Sequence, residues 1–191
     1  MIGEWCYFES YFSKQQCEDL LKKTEPMLAA PAHIGVDGAG RTNEEARRSD
    51  IKFLHEKDPR FTSVFDTLWK LAIAANDEFF NFHLSKLGFI QLAEYKAENR
   101  GEYKEHRDVF WLNNDPKYHR KLSAIIQLTD PAEYEGGDFH LLEVDEQPDA
   151  VPIRKQGTVV FFPSFVLHKA DPVTSGTRQS IAAWFDGPKW R

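Results

Sequence analysis

Cysteine is scarce in this chain: Cys6 and Cys17 are the only two in 191 residues. Two thiols are too few for a disulfide framework or a thiolate metal site, and they suit a reducing compartment. Long apolar runs are missing as well. The longest, Leu71 to Ala75 and Val159 to Phe162, fall far short of the ~20 residues that a membrane helix needs. The amino-terminal Met1-Ile2-Gly3-Glu4-Trp5 carries an acid where a secretory leader needs positive charge, and no apolar stretch follows it. These features predict a soluble, cytoplasmic protein with no membrane partner. Positive charge is not in excess either: 24 Lys and Arg stand against 30 Asp and Glu, a formal net charge of −6. That balance argues against nucleic acid as a partner.

What is present is enough apolar material for one core. The chain is 41% hydrophobic, with 15 Phe, 6 Tyr and 5 Trp, which excludes a wholly disordered protein. Its length fits one domain, residues 1–191. Seven histidines supply the only hint of chemistry in the composition.

The first third reads helical. Ser13-Lys14-Gln15-Gln16 is a capping box, a hydroxyl followed three residues later by an amide, and Pro26 ends or perturbs the helix it opens. Asp58-Pro59 reads as a second helix start. After it Phe61, Val64, Phe65, Leu68, Leu71, Ala72, Ala75 and Phe79 recur at helical spacing, a stripe expected against a sheet. Between the helices, His33 to Asp50 has Gly35, Gly38, Gly40 and mixed charges, the composition of a mobile loop. From Gly88 onward short alternating segments take over: Phe89–Tyr95, Lys121–Leu128, Asp138–Leu142, Gly157–Phe162 and Arg178–Phe185. Strands at this spacing predict a sandwich or barrel behind the helices, an α+β chain that is mainly β.

His106 and Asp108 are two apart, so on an extended chain both side chains point to one side and can share a metal ion. His168 follows sixty residues later, just beyond the strand-like Gly157 to Pro163. Two imidazoles and one carboxylate form the facial ligand set of non-haem Fe(II), which leaves coordination positions open. Arg178 comes ten residues after His168. If a hairpin joins them, the guanidinium reaches the metal's surroundings and can hold a carboxylate bidentately. Ser180 shares its strand face and can add a hydroxyl hydrogen bond. An organic acid that chelates the metal and is gripped at its far end by Arg178 is the chemistry these residues suggest.

From about Phe89 to Trp184 the chain resembles the iron(II)- and 2-oxoglutarate-dependent dioxygenases of the prolyl 4-hydroxylase type. The matching segments are Tyr95, Tyr103-Lys104-Glu105-His106-Arg107-Asp108, Lys121 to Leu128, Glu135-Gly136-Gly137-Asp138-Phe139, Gly157 to Pro163, His168 to Val173, Gly176-Thr177-Arg178 and Trp184-Phe185. Arg47-Arg48-Ser49-Asp50 resembles the segment that follows the family's mobile loop. The resemblance implies a double-stranded β-helix, or jelly roll, over 88–191, with residues 1–87 supplying helices packed on one sheet and a loop. It implies that His106, Asp108 and His168 hold iron, and that Arg178 binds the 5-carboxylate of 2-oxoglutarate. Tyr95, Tyr103 and Trp184 match pocket positions near cosubstrate and substrate.

The resemblance also implies a reaction. 2-Oxoglutarate and dioxygen are consumed, succinate and carbon dioxide released, and a substrate carbon hydroxylated, with ascorbate as a candidate auxiliary. A prolyl residue in a peptide or protein is the favoured substrate. A free amino acid, another small molecule or a modified base, and a non-catalytic cupin-like metal-binding module, are the competing readings. The short catalytic chain suits a microbial or viral source. His33 to Asp50 is a candidate lid. His33, His55, His83, His119 and His140 are read as background, His83 as a packing histidine among Phe79, Phe80 and Phe82. Asp130 to Asp149 holds eight acids and no Lys or Arg, either a solvated edge or a docking surface for a basic substrate.

Overall fold

The computed structural model describes residues 3–32, 43–109 and 118–190, apart from the side chain of Phe89. Residues 33–42 of the expected lid therefore lie outside the described residues, as does His33. The elements run β1 (Cys6–Phe8), α1 (Lys14–Thr24), β2 (Ala30–Pro31), β3 (Arg47–Arg48), β4 (Asp50–Leu54), α2 (Thr62–Ala75), β5 (Lys86–Lys96) and β6 (Glu102–His106). They continue with β7 (Tyr118–Gln127), β8 (Tyr134–Gly136), β9 (Phe139–Leu141), α3 (Ala150–Arg154), β10 (Val159–Pro163), β11 (His168–Ala170) and β12 (Val173–Pro188). Among the described residues no helix is long and apolar enough to cross a membrane.

The strands form two antiparallel sheets. The larger has the order β1-β10-β7-β12-β5-β4-β2, with β8 paired to the first residues of β12. The smaller has the order β3-β6-β11-β9. Strand alternation divides the larger sheet into two faces. Ile90, Leu92, Leu122, Ala124, Ile126, Ile181, Ala183 and Phe185 point to the helices and join Cys17, Leu20, Leu68 and Ala72 in the main core. The other parity, including Ala93, Tyr95, Ile125, Arg178 and Ser180, lines an inner cavity that His106 and His168 of the smaller sheet also border. The expected jelly roll with helices on one sheet is the fold observed.

The capping box is formed: Ser13 Oγ accepts from the Gln16 amide while Gln16 Oε1 accepts from the Ser13 amide. Four expectations need correction. The amino-terminal third is not only helical, because β1, β2 and β4 join the larger sheet. The second helix begins at Thr62 and not at Pro59. The Asp58 carboxylate accepts from the Arg60 amide and guanidinium, which spends the cap on a turn. Phe79 leaves the stripe: a wider turn over Asn76–Phe80, closed by Asn81 N–H to Asn76 O at 2.7 Å, advances the phase by one residue. Phe80 is then fully buried and Phe79 38% exposed. His83 is exposed, so it is not a packing histidine.

Candidate metal and cosubstrate site

His106 closes β6 and His168 opens β11, and the two are direct partners across that antiparallel pair. His106 Nδ1 lies 2.8 Å from Lys104 O, and His168 Nδ1 lies 2.9 Å from Val166 O. A carbonyl can only accept, so each Nδ1 donates its proton and Nε2 is the ring nitrogen left to face a metal. Both Nε2 atoms face Asp108, at 3.8 Å from Oδ1 for His106 and 3.5 Å from Oδ2 for His168. The three potential ligand atoms lie within 4.8 Å of one another.

Neighbours hold this set rigidly. The Asp108 amide donates to Ser164 O at 2.9 Å, and Ser123 Oγ donates to Asp108 Oδ2 at 2.7 Å. Ser123 and Ser164 hydroxyls are 2.9 Å apart, which completes a small buried network. Tyr103 stacks on His106 with centroids 3.4 Å apart, and Phe162 meets His168 edge-on at 4.7 Å. Burial, with His168 beside it, pushes the His106 imidazole down to about 3. Burial opposes the Asp108 charge, yet His168, His106, Arg120 and the Ser123 hydroxyl together hold its carboxyl below the usual range. The donor set is therefore one carboxylate and two imidazoles, with no thiolate. That chemistry fits a divalent ion such as Fe(II) with open positions.

The cavity beside the triad, together with its open mouth, holds about 450 Å³ of empty space. Arg178 reaches it from β12, but not by the expected hairpin: β11 pairs with β6 and β9, and the chain crosses from one sheet to the other before β12. Arg178 is 2% exposed. Its Nη2 donates to Gln127 Oε1 at 2.9 Å, its guanidinium carbon lies 5.4 Å from the Tyr95 ring centroid, and its Nε has no partner. No carboxylate among the described residues pairs with it. A buried cation without a counter-ion is costly, and a guest carboxylate would satisfy both its charge and its free donor. Gly137 makes room for it: at φ +65° it has no Cβ, which would sit 3.0 Å from Arg178 Cδ.

Tyr95, Tyr103, Ser180 and Trp184 all line the same cavity. Sequence reasoning missed four neighbours. Gln127 and Ser123 share the inward parity of β7, a signal the alternation already carried. Gln91, four residues before Tyr95 on β5, has the same parity as Tyr95. Arg120, with its guanidinium carbon 4.2 Å from the Trp184 ring centroid, sits where the register of β7 against β12 shifts, so alternation does not place it. Of the background histidines, His140 pairs with Asp171 at 2.7 Å, and His119 Nδ1 accepts from the Trp190 amide. Three acids of the 130–149 segment pair with basic residues outside it, Glu143 with Arg107, Asp138 with Arg154 and Asp130 with Lys14.

The family described as the 2OG-Fe(II) oxygenase superfamily matches residues 90–186, which span both histidines, Asp108 and Arg178. A PKHD-type hydroxylase of Aliarcobacter butzleri is 30% identical over 179 residues, covering 90% of this chain and 74% of that protein. A PKHD-type hydroxylase of Synechococcus is 37% identical over 92 residues, but the match spans only 39% of its length. Among solved structures, a Pseudomonas putida prolyl-4-hydroxylase superposes with a TM-score of 0.72 at 19% identity, covering 98% of this chain and 94% of that one. A prolyl hydroxylase of Trichoplax adhaerens, in complex with a hypoxia inducible factor peptide fragment, gives 0.72 at 15% identity, covering 96% and 83%. These structures share the double-stranded β-helix fold. The ligand geometry and the family match lead to one conclusion: the chain belongs to the 2OG-Fe(II) oxygenase superfamily.

Proposed function

We propose that this protein hydroxylates a prolyl residue of a peptide or protein, using iron(II), 2-oxoglutarate and dioxygen. The observation that carries the reading is Arg178, a buried guanidinium with an unpartnered Nε on the wall of the cavity that His106, Asp108 and His168 border. A non-catalytic metal-binding module has no use for an unpaired cation there.

In this reading His106, Asp108 and His168 hold the metal through two Nε2 atoms and a carboxylate. Arg178, kept in place by Gln127 and the space at Gly137, binds the far carboxylate of 2-oxoglutarate. Tyr95 and Ser180 complete that end, while Tyr103 fixes the His106 ring by stacking. Bound iron supplies the activation of dioxygen that couples oxidation of the diacid to oxidation of a carbon–hydrogen bond. The balance is closed: one oxygen atom enters succinate, the other the new hydroxyl, and the lost carboxylate leaves as carbon dioxide. The apolar Ile125, Phe139, Ala170 and Ala182 keep water from the reacting atoms. Residues 1–191 act as one catalytic unit in the cytoplasm, with 88–191 carrying the ligands and 1–87 supporting them.

A prolyl substrate is favoured because both superposed structures named above are prolyl hydroxylases. The test is succinate formation with iron and 2-oxoglutarate, alongside mass spectrometry of proline-containing peptides for the gain of one oxygen. Succinate that needs both additives, with one oxygen added to a peptide, supports the reading. Oxidation of free proline or a modified base, with every peptide untouched, replaces the substrate class. A metal-loaded protein that binds no 2-oxoglutarate sinks the reading altogether.

A further inference from the structure

We propose that Gln91 and Trp184 form a donor subsite that holds a hydrogen-bond acceptor of the substrate, a carbonyl or carboxylate oxygen, away from Arg178. The proposal takes from the hydroxylase reading only that the guest is the substrate.

Two buried donors lack partners on this stretch of the cavity floor: Gln91 Nε2 and Trp184 Nε1. Gln91 is 5% exposed and Trp184 9%, and both side chains line the cavity. A buried N–H without an acceptor is destabilising, and native chains seldom keep one without a use. Here there are two, on neighbouring strands. Gln91 of β5 stands opposite Ala182 of β12, and Trp184 follows two residues along the same face. Diagonal neighbours of this kind lie about 7–8 Å apart at Cα, so the two long side chains can converge on one oxygen atom or one carboxylate.

The surroundings favour an oxygen-rich guest. The Arg120 guanidinium carbon sits 4.2 Å from the Trp184 ring centroid, a cation on the face of the indole. Asp108 is the only carboxylate among the described residues that line the cavity, against Arg47, Lys169 and Arg178. The subsite is also distinct from the diacid's anchor. Arg178 stands opposite Tyr95, and Ala182, the partner of Gln91, is four residues further along β12. That separation is about 13 Å of strand. Phe53 of β4, 45% exposed, lies opposite Gln91 on the other side and extends the same face out of the cavity as an apolar shoulder. A guest with an acceptor beside an apolar group fits this row.

The experiment uses the full chain, isotope-labelled, loaded with zinc(II) and saturated with 2-oxoglutarate. N-acetyl-prolinamide is the carbonyl probe and free proline the carboxylate probe. The expected result is a saturable shift of the Trp184 indole and Gln91 amide resonances by at least one probe, which also identifies the oxygen's source. Gln91→Leu, and independently Trp184→Phe, should weaken that probe by about tenfold while weakening 2-oxoglutarate much less. Resonances that stay still with both probes overturn the subsite, as does a Gln91→Leu variant that weakens 2-oxoglutarate as much as the probe. Peptide hydroxylation without probe binding leaves the hydroxylase reading standing and the subsite refuted. Probe binding without hydroxylation of any peptide does the reverse.

Discussion

His106 and His168 face each other directly across the pairing of β6 with β11, their ring centroids 4.1 Å apart and tilted by 54°. Each donates its Nδ1 proton to a carbonyl two residues before it. The His106 ring is thus aimed by the backbone of β6 itself and the His168 ring by the turn just before β11, and Asp108 closes the set from the loop after β6.

Ser123 orients that carboxylate through its 2.7 Å hydrogen bond and touches no other potential ligand. Ser123→Ala should lower iron affinity by about 10–100-fold, the usual effect of losing a ligand's hydrogen-bond partner. Metal titration on the purified variant checks this, with an unchanged circular dichroism spectrum as control. An unaltered affinity would show that the Asp108 amide contact to Ser164 is sufficient alone.

Arg178 separates binding from stability. Arg178→Met removes a buried charge that has no counter-ion, so the protein without cosubstrate should melt at the same temperature or higher. The same change should raise the 2-oxoglutarate concentration needed for turnover by at least about thirtyfold. Thermal unfolding and cosubstrate titration measure the two halves. A large loss of stability would mean that Gln127 already satisfies the guanidinium.

The His106 imidazole, pushed down by burial and by His168 to about 3 from 6.5, gives the metal-free protein a pH signature. Between those values the unfolded chain binds the proton and the folded chain does not, so stability falls as pH drops. The effect should reach a few kcal/mol across the window. Urea unfolding at successive pH values measures the slope, and His106→Phe should flatten it. A slope of equal size in that variant would assign the effect elsewhere.

Phe80 and Phe79 test the shifted phase at the end of α2. Phe80→Ala should cost about 3–5 kcal/mol, as for a large core side chain. Phe79→Ala, on the open side, should stay within about 0.5 kcal/mol. Denaturant unfolding of the pair decides it, and equal losses would return the helix to a regular turn there.

Much of the site was legible because its signals are local. His106 and Asp108 share a face by adjacency, and Ser180 and Trp184 follow Arg178 in steps of two along one strand. The five expected strands from Phe89 to Phe185 all lie in or overlap observed ones, because half-buried strands must alternate. The amino-terminal strands were hidden for the opposite reason. β1 is three residues long, and it is extended because Cys6 pairs with Phe161, a partner 155 residues away. β3 is two residues, held by Tyr103 and Glu102. Nothing in so short a segment announces such pairing. Arg120 escaped because a register shift breaks the alternation that would have placed it. The phase change at Asn76 is held by the Asn81 N–H bond to Asn76 O and by the Asn76 side chain, which accepts from the Phe82 amide and donates to its carbonyl, contacts that periodicity does not announce.

The division of the site between two unequal sheets has a thermodynamic consequence. His106 and His168 belong to the four-stranded sheet, whose outer strands have two and three residues, whereas Arg178 belongs to the eight-stranded sheet at its sixteen-residue strand. Local opening starts where pairing is shortest, so the amides of β6 and β11 should exchange with solvent well before those of β12. A bound ion that engages only the closed form of the smaller sheet would slow that exchange in proportion to its concentration. The metal would then act as a rivet between β6 and β11 within the smaller layer, and part of its affinity is spent on keeping that layer shut.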